Sequence, residues 1–450
     1  MDTGNQYRLA DNCQLGEIDG YGYAFVPGGS AGVVLLDHKS KEILERLSPG
    51  EEIEDSDRLD LFIRNGLVEI RIDPIKRIYP KIKTSKSFSV WLHVTNKCNL
   101  NCPYCYITDK DNYQMTFETL NAFLDKLEQT VKVHNLESVL IRIGGGEPTL
   151  HKKLIRCLVS KVKKRFIDKG IFVQLVLLTN GTVINNSWLN FLLANNIRLC
   201  VSLDGVGSWN DNLRHFCNGN GSFELIRRGL TLAVEKGNNP RILTTITEEN
   251  IGGITLLNRF IIDSNLPFRY GVFRDFVGGY GAYERFVARL KEVLEECYGY
   301  YAEMIRKRGI LFAHQFSDIH IDKRRHIRSC GIGMSSATID HLGRIFLCQA
   351  KMDKDPLGTI WDKETLLEII VAQTTLPELD GKTVYDYDGC EDCPWAPICG
   401  GGCPVVNANA KDSAVMASPY CDLFKYIIPK LVELKALSSI NKYKKILERR

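Results

Sequence analysis

The chain has 450 residues, 44% hydrophobic and 25% charged, which describes a globular protein with enough apolar mass for two or three domains. Lys and Arg number 58 against 54 Asp and Glu, and a net charge of +4 is too weak to mark a nucleic-acid partner. No apolar run reaches membrane-spanning length, and the opening Met1-Asp2-Thr3-Gly4-Asn5 lacks a basic-then-apolar signal pattern, so a cytoplasmic protein with no membrane or nucleic-acid partner is expected.

Residues 1–85 read as a small domain. Val33-Val34-Leu35-Leu36 predicts a strand. Asp37 then caps a helix carrying Ile43, Leu44 and Leu47, and Ser48-Pro49-Gly50 stops it. A second helix begins near Asp55 or Ser56, carries Leu59, Phe62 and Ile63, and ends at Asn65-Gly66. Strand followed by two short helices fits a winged-helix-like domain. The stretch 75–87, with Lys76, Lys81, Lys83 and Lys86, reads as a linker.

From residue 86 strand and helix patterns alternate. Strands are predicted over Phe88–Val94, Ser138–Ile143, Val173–Leu178, Arg198–Leu203, Ile242–Ile246 and Phe268–Phe273, with helical patterns such as Phe117-Leu120-Phe123-Leu124-Leu127 between them. Six βα units imply an α/β fold with a parallel sheet, open or closed into a partial barrel. Chemistry in such folds sits at the C-terminal ends of the strands. A long amphipathic helix is expected from Ala282 to about Arg306. The rest of residues 311–450 reads as loop-rich and in need of another source of order.

Fifteen cysteines stand out, and in a reducing compartment clustered ones bind metal or do chemistry more often than they form disulfides. Cys13, Cys157, Cys200, Cys217 and Cys297 are scattered and read as small buried hydrophobes. Cys98, Cys102 and Cys105 form C-x3-C-x2-C directly after the first strand. Three thiolates on one loop can hold three irons of a four-iron cluster and leave the fourth open to a small molecule. A structural zinc loop is the competing reading, but it wants four closed ligands, and the nearby His93 lies in the strand.

This loop, with Tyr104 before its last cysteine, resembles the radical S-adenosylmethionine superfamily. Gly144-Gly145-Gly146-Glu147-Pro148 after the second strand matches the family's Gly-Gly-Glu-Pro element. The resemblance implies that Gly145 and Gly146 let the backbone approach the cosubstrate and that Glu147 pairs with its ammonium. It implies further cosubstrate contacts from Tyr104, Asn180 of Thr179-Asn180-Gly181, Ser202 at the end of the fourth strand (ribose) and Arg214 (carboxylate). The implied chemistry is one-electron cleavage of S-adenosylmethionine at the Cys98, Cys102, Cys105 cluster. The resulting 5′-deoxyadenosyl radical then takes a hydrogen atom from an unactivated carbon. An external one-electron donor such as flavodoxin or ferredoxin is implied as a partner.

Cys330, the Gly343-x4-Cys348 element, Cys390-x2-Cys393-x5-Cys399-x3-Cys403 and Cys421 resemble the SPASM extension of these enzymes, which carries two auxiliary four-iron clusters. By that pattern Cys330, Cys348 and Cys403 hold the first, and Cys390, Cys393, Cys399 and Cys421 the second. The total is three [4Fe–4S] clusters. The first auxiliary set is one thiol short, because Ser336 stands where some relatives have another cysteine; an open iron is expected there. A zinc ribbon over Cys390–Cys403 is the competing reading.

Enzymes of this pattern act on peptides and proteins. Sulfatase maturases follow the cysteine of G-x4-C with an aspartate base; here Gln349 follows Cys348, and an amide does not serve as a base. Asp318 is the substitute considered. The N-terminal domain resembles those that capture a leader segment of a precursor peptide by strand addition. The expected activity is therefore removal of a hydrogen atom from a precursor peptide and formation of a thioether or carbon–carbon crosslink. Formylglycine formation and peptide epimerisation are the enzyme alternatives, and a noncatalytic iron–sulfur scaffold is the alternative of a different class.

Overall fold

The structure is a computed structural model that describes residues 7–47, 56–70, 85–107, 110, 112–274, 280–319, 321, 326–372, 383–409 and 418–448. The Ser48-Pro49-Gly50 stop and most of the linker at 75–87 lie outside the described residues.

The N-terminal segment forms β1 (Tyr7–Leu9), β2 (Gln14–Ile18), β3 (Tyr21–Phe25), β4 (Val33–Leu36), α1 (His38–Arg46), α2 (Ser56–Arg64) and β5 (Val68–Ile70). Then come β6 (Ser87–His93), α3 (Phe117–Val133), β7 (Ser138–Gly144), α4 (Lys152–Arg165), β8 (Phe172–Thr179), α5 (Asn186–Ala194) and β9 (Arg198–Ser202). They are followed by α6 (Ser208–Asp211), α7 (Phe223–Glu235), β10 (Arg241–Ile246), α8 (Ile254–Asp263) and β11 (Phe268–Val272). The remainder holds α9 (Tyr280–Arg308), β12 (His314–Phe316), β13 (Ser336–Ile339), β14 (Arg344–Phe346), β15 (Gly358–Thr359), α10 (Leu366–Ala372), α11 (Ala396–Cys399), α12 (Pro404–Asn409) and α13 (Cys421–Leu447).

The chain divides into two compact units. One comprises residues 83–273 and 331–381, the other 1–82, 274–330 and 382–450. In the first, strands run in the order β11-β10-β9-β8-β7-β6-β13-β14-β15. Neighbours from β6 to β11 pair parallel and in chain order, and β13 adds parallel to β6. Each of the six parallel strands has one largely apolar side: Val90 and Leu92, Ile141 and Ile143, Leu177, Val201, Ile242 and Ile246, and Tyr270 all have no exposed surface. That side is covered by the helices, as buried parallel strands require. Thr116 and Asn185 cap α3 and α5 by accepting the backbone N–H groups of Thr119 and Trp188, so these two helices start at defined residues. The predicted six strands of a partial barrel are all present within one or two residues.

In the other unit β2, β3 and β4 form an antiparallel sheet and β1 pairs with β5. Ala24, Leu36, Leu44, Phe62, Leu67 and Val68 make their common core. Asp37 caps α1, its carboxylate accepting Ser40 N–H at 2.7 Å. The C-terminal region is less loop-rich than its sequence suggests: α13 is 27 residues long and packs on α9 and on β2, β3 and β4. Among the described residues no helix is long and apolar enough to cross a membrane.

Candidate active site

Two peptide stretches meet at the C-terminal ends of β6 and β7. Gly146 N donates to Thr95 O at 2.7 Å and Glu147 N to Lys97 O at 2.8 Å. Gly145 has φ +133°, and a Cβ there would lie 2.5 Å from Thr95 O. A Cβ on Gly146 would strike the carbonyls of Asn96 and Lys97. The two glycines are thus required by close backbone approach. What they approach is the lead-in to the cysteine loop, not empty space beside it.

Cys98, Cys102 and Cys105 are each half-buried on that loop. Leu100 N–H points at Cys98 Sγ at 3.4 Å, and Cys105 N bonds Cys102 O at 3.2 Å. Burial pushes the Cys98 thiol up to about 11 and also raises Cys102; Cys102 adds to the first shift and Cys105 to the second, so the sulfurs are close neighbours. Asn101 N bonds His215 O at 2.8 Å, and Lys110 Nζ reaches Leu100 O and Asn101 Oδ1 at 3.1 and 3.2 Å. A soft three-thiol set on a pre-shaped loop fits an iron–sulfur cluster with one open iron.

Glu147 has no exposed surface. Its Oε1 accepts from Thr149 N at 3.0 Å, from Thr149 Oγ1 and from Thr179 Oγ1 at 2.7 Å. Oε2 accepts only Asn180 N, at 2.7 Å, which leaves it capacity for an ammonium. Burial raises its pKa, and these hydrogen bonds oppose the rise. Asn180 Nδ2 donates to Asn99 Oδ1 at 2.7 Å, and Asn99 Nδ2 donates to Thr182 Oγ1 at 2.8 Å. The ends of β6, β7 and β8 are thereby tied into one network.

Arg214 and Tyr104 meet at a residue that sequence reasoning did not single out. Asp204, just past β9, has no exposed surface. Its Oδ2 accepts Arg214 Nε at 2.5 Å and the Tyr104 hydroxyl, while Oδ1 accepts Thr245 N at 2.8 Å. The Arg214 guanidinium carbon lies 5.7 Å from the Tyr104 ring centre. The two Nη atoms of Arg214 make no hydrogen bond among the described residues and stay available for a carboxylate. Ser202 ends β9 on the side of the sheet away from the helices. The signal for Asp204 was present in Ser202-Leu203-Asp204-Gly205, but its role needs Arg214 and Tyr104 beside it, and the latter is 100 residues away.

The later cysteines separate by unit. Cys390, Cys393, Cys399 and Cys421 come together: burial pushes Cys399 up to about 12, with Cys390, Cys393 and Cys421 each adding to the shift. Cys421 is the first residue of α13, where the helix N-terminus favours a thiolate. Cys403 has Cys330 as an electrostatic neighbour, and Arg274 Nη1 donates to Cys403 Sγ at 2.7 Å. Arg274 Nη2 holds both Asp318 oxygens at 3.1 Å. Asp318 is therefore bound in an ion pair, contrary to a free base. Cys348 belongs to the other unit and donates to Gln349 Oε1 at 3.4 Å. Of the scattered cysteines, Cys200 and Cys297 are buried and Cys13 and Cys157 half-buried, whereas Cys217 is exposed in the turn beside the cysteine loop.

Residues 92–254 match the Radical SAM superfamily model, so the chain carries a radical S-adenosylmethionine domain. The chain is homologous to anaerobic sulfatase-maturating enzymes. It is 24% identical over 375 residues to the cysteine-type enzyme of Clostridium perfringens, covering 75% of this chain and 95% of that one. Among solved structures it resembles anSMEcpe with bound AdoMet and Cp18Cys peptide (TM-score 0.62, 20% identity, 78% of this chain and 99% of that one). It also resembles Streptococcus suis SuiB bound to precursor peptide SuiA, with TM-score 0.52, 15% identity and coverage of 92% and 98%.

Proposed function

We propose that the protein is a radical S-adenosylmethionine maturase that takes a hydrogen atom from a residue of a ribosomally made precursor peptide and closes a crosslink, thioether or carbon–carbon. Cys98, Cys102 and Cys105 hold the cosubstrate-binding cluster, which when reduced supplies the electron that cleaves S-adenosylmethionine into a hydrogen-abstracting radical. Glu147 Oε2 takes the ammonium, and the Nη atoms of Arg214 take the carboxylate. Asp204 fixes Arg214 and Tyr104 in place, and Ser202 and Asn180 face the ribose side. Cys330, Cys348 and Cys403 hold one auxiliary cluster and Cys390, Cys393, Cys399 and Cys421 the other. Residues 1–85 recognise the leader segment, 86–310 form the barrel and 311–450 the auxiliary-cluster region. A cytoplasmic flavodoxin or ferredoxin supplies the electron.

The observation that carries the crosslinking reading is Gln349. Its amide oxygen is far too weak a base to take a substrate proton at neutral pH, and Asp318 is held by Arg274. A second reading, formylglycine formation, draws on the name of the Clostridium perfringens relative. The test is anaerobic incubation of the reconstituted chain with dithionite, S-adenosylmethionine and the peptide of a short neighbouring reading frame. Release of 5′-deoxyadenosine together with loss of two hydrogens from the peptide, and a new bond in its fragmentation, supports the crosslink. An aldehyde at a Ser or Cys establishes the second reading instead. No 5′-deoxyadenosine in the presence of peptide overturns both.

A further inference from the structure

The longer helices packed on the barrel differ sharply in charge. α3 carries three acids and two bases, α7 two of each, α8 one of each and α5 none. α4 carries seven bases and no acid over Lys152–Arg165. Its exposed positions are Lys153, Arg156, Ser160, Lys163 and Lys164, and their helical spacing makes them one stripe, about 17 Å long. The acids of α3 reach only the far end: Asp125 and Glu128 bind Arg165, and Glu128 also binds Lys169. Among the described residues Lys153, Arg156, Lys161, Lys163 and Lys164 make no ion pair. Arg156 is held from below by aromatic rings, its guanidinium carbon 4.2 Å from the Phe191 ring centre and 5.6 Å from that of Trp188. Charges of one sign without counter-charges repel one another and draw in a surface of opposite sign.

The stripe begins beside the cysteine loop. Lys152 follows Glu147 after a single turn, Pro148–His151. Burial lowers the Lys152 pKa and the Glu147 charge opposes that shift; the same carboxylate is among the charges acting on Cys98. Only Glu147 thus stands between the upper end of α4 and the first cysteine. Lys97, the residue before Cys98, is exposed as well, and its carbonyl accepts Glu147 N at 2.8 Å.

We infer that the outer face of α4 is the docking surface for an acidic one-electron carrier protein, one with carboxylates around a low-potential flavin or iron–sulfur group. This inference rests on the reading of Cys98, Cys102 and Cys105 as the site of a cluster reduced from outside. One electron leaves the reduced carrier and enters the oxidised cluster, and no bond breaks. Nucleic acid or an anionic membrane would also meet a basic helix, but neither accounts for a stripe that starts at the cluster loop. A face of this size fits the small, transient contacts of redox partners, where charge complementarity speeds encounter more than it tightens binding.

The test compares two reductants of the anaerobically reconstituted full chain. One is a fully reduced acidic flavodoxin. The other is photoreduced deazaflavin, a small neutral molecule that needs no docking surface. Reduction is followed by stopped-flow absorbance, and binding of oxidised flavodoxin by calorimetry, both in low salt. Lys153→Glu/Lys164→Glu should slow reduction by flavodoxin and weaken its binding at least about tenfold, and added salt should narrow the gap. The deazaflavin rate should not change, which separates lost docking from misfolding. Lys153→Arg/Lys164→Arg should keep the flavodoxin rate. Arg228→Glu/Lys236→Glu makes the same change of net charge at exposed positions on and just after α7, and should alter the flavodoxin rate less than about threefold. Equal slowing by the two double reversals overturns the inference, because net charge alone would then explain the effect. An unchanged rate in Lys153→Glu/Lys164→Glu overturns it too, as does tighter binding of duplex DNA or phosphatidylserine vesicles than of flavodoxin. If the deazaflavin-reduced chain crosslinks a precursor peptide while flavodoxin ignores α4, the inference alone fails. Reduction by flavodoxin through α4 with no peptide modification sinks only the crosslinking reading.

Discussion

Asp204 shows how much one buried carboxylate can organise. It accepts hydrogen bonds from Arg214, Tyr104 and Thr245, and its own carbonyl takes Asn250 Nδ2 at 2.9 Å. Asp204→Ala would leave Arg214, whose side chain is 12% exposed, as an uncompensated charge. Removing one partner of such a pair costs about 3–5 kcal/mol. Denaturant unfolding of Asp204→Ala should show that loss, and Asp204→Ala/Arg214→Leu should recover much of it. Glu147→Gln keeps the shape of the site but removes the charge that the proposed function offers to the ammonium. A hydrogen bond to a charged group is worth about 1.5–3 kcal/mol, so S-adenosylmethionine should bind roughly 10- to 150-fold more weakly, as measured by equilibrium dialysis. His314 makes a third case. It is fully buried in β12, with its Nε2 3.4 Å from the Tyr298 hydroxyl, and burial lowers its pKa to about 3. Below pH 6.5 the unfolded chain takes up a proton that the folded chain does not. Stability should then fall by about 1.4 kcal/mol per pH unit between about pH 6.5 and pH 3. In His314→Phe that component should vanish, which pH-dependent unfolding will show.

At the scale of elements, the parallel strands were legible because each is a short apolar run bounded by Gly, Asn or Asp. The strands of the N-terminal sheet were not. β2 reads Gln-Leu-Gly-Glu-Ile and β3 Tyr-Gly-Tyr-Ala-Phe, where glycines interrupt the pattern and tertiary packing decides. α13 escaped notice for a different reason. Pro429 stands inside it, and its buried residues, from Leu423 and Phe424 through Leu431, Leu434 and Leu437, spread around the helix because it packs on several neighbours. Asp37 was legible as a cap from its place before the helix. Arg58 Nη1 also binds both its oxygens, at 2.8 and 2.9 Å, which only α2 folding back could supply. Its pKa is lowered to about 2, first by the Ser40 N–H. Asp37→Ala should cost about 1 kcal/mol at neutral pH. The wild type should lose the same stabilisation as pH falls from about 4 to about 2, because a depressed carboxylate stabilises only while ionised. Circular dichroism during acid titration of both proteins will check this. In the site, the cysteine triplet was legible because its cysteines are seven residues apart at most. The Asn99–Asn180–Thr182 network and the Asp204 cluster were not, because their partners come from different strands.

At the scale of the molecule, one unit is assembled from three separated stretches of chain. The N-terminal sheet packs on α13, with Lys444 Nζ 5.0 Å from the Tyr21 ring centre, and Asp19 binds Arg306 of α9 at 2.9 Å. α13 starts at Cys421, one of four grouped thiols. Iron bound there would anchor the helix that supports the sheet. Chelation, or Cys421→Ala, should therefore speed limited proteolysis within residues 7–47 although no ligand lies there. Iron analysis should give about twelve irons per fully loaded chain and about four fewer in Cys421→Ala.

The hydrogen bonds from Gly146 and Glu147 to Thr95 and Lys97 also bear on how the cofactor enters. They hold the cysteine loop to β7 by main-chain contacts alone. Stripping the metal therefore need not unravel the loop, and reloading becomes a docking step onto standing thiols, not a folding step waiting for iron. Cluster insertion at Cys98, Cys102 and Cys105 should then be first order in supplied cluster and fast. A single methyl group added at Gly146 should slow it sharply while leaving the rest of the barrel assembled.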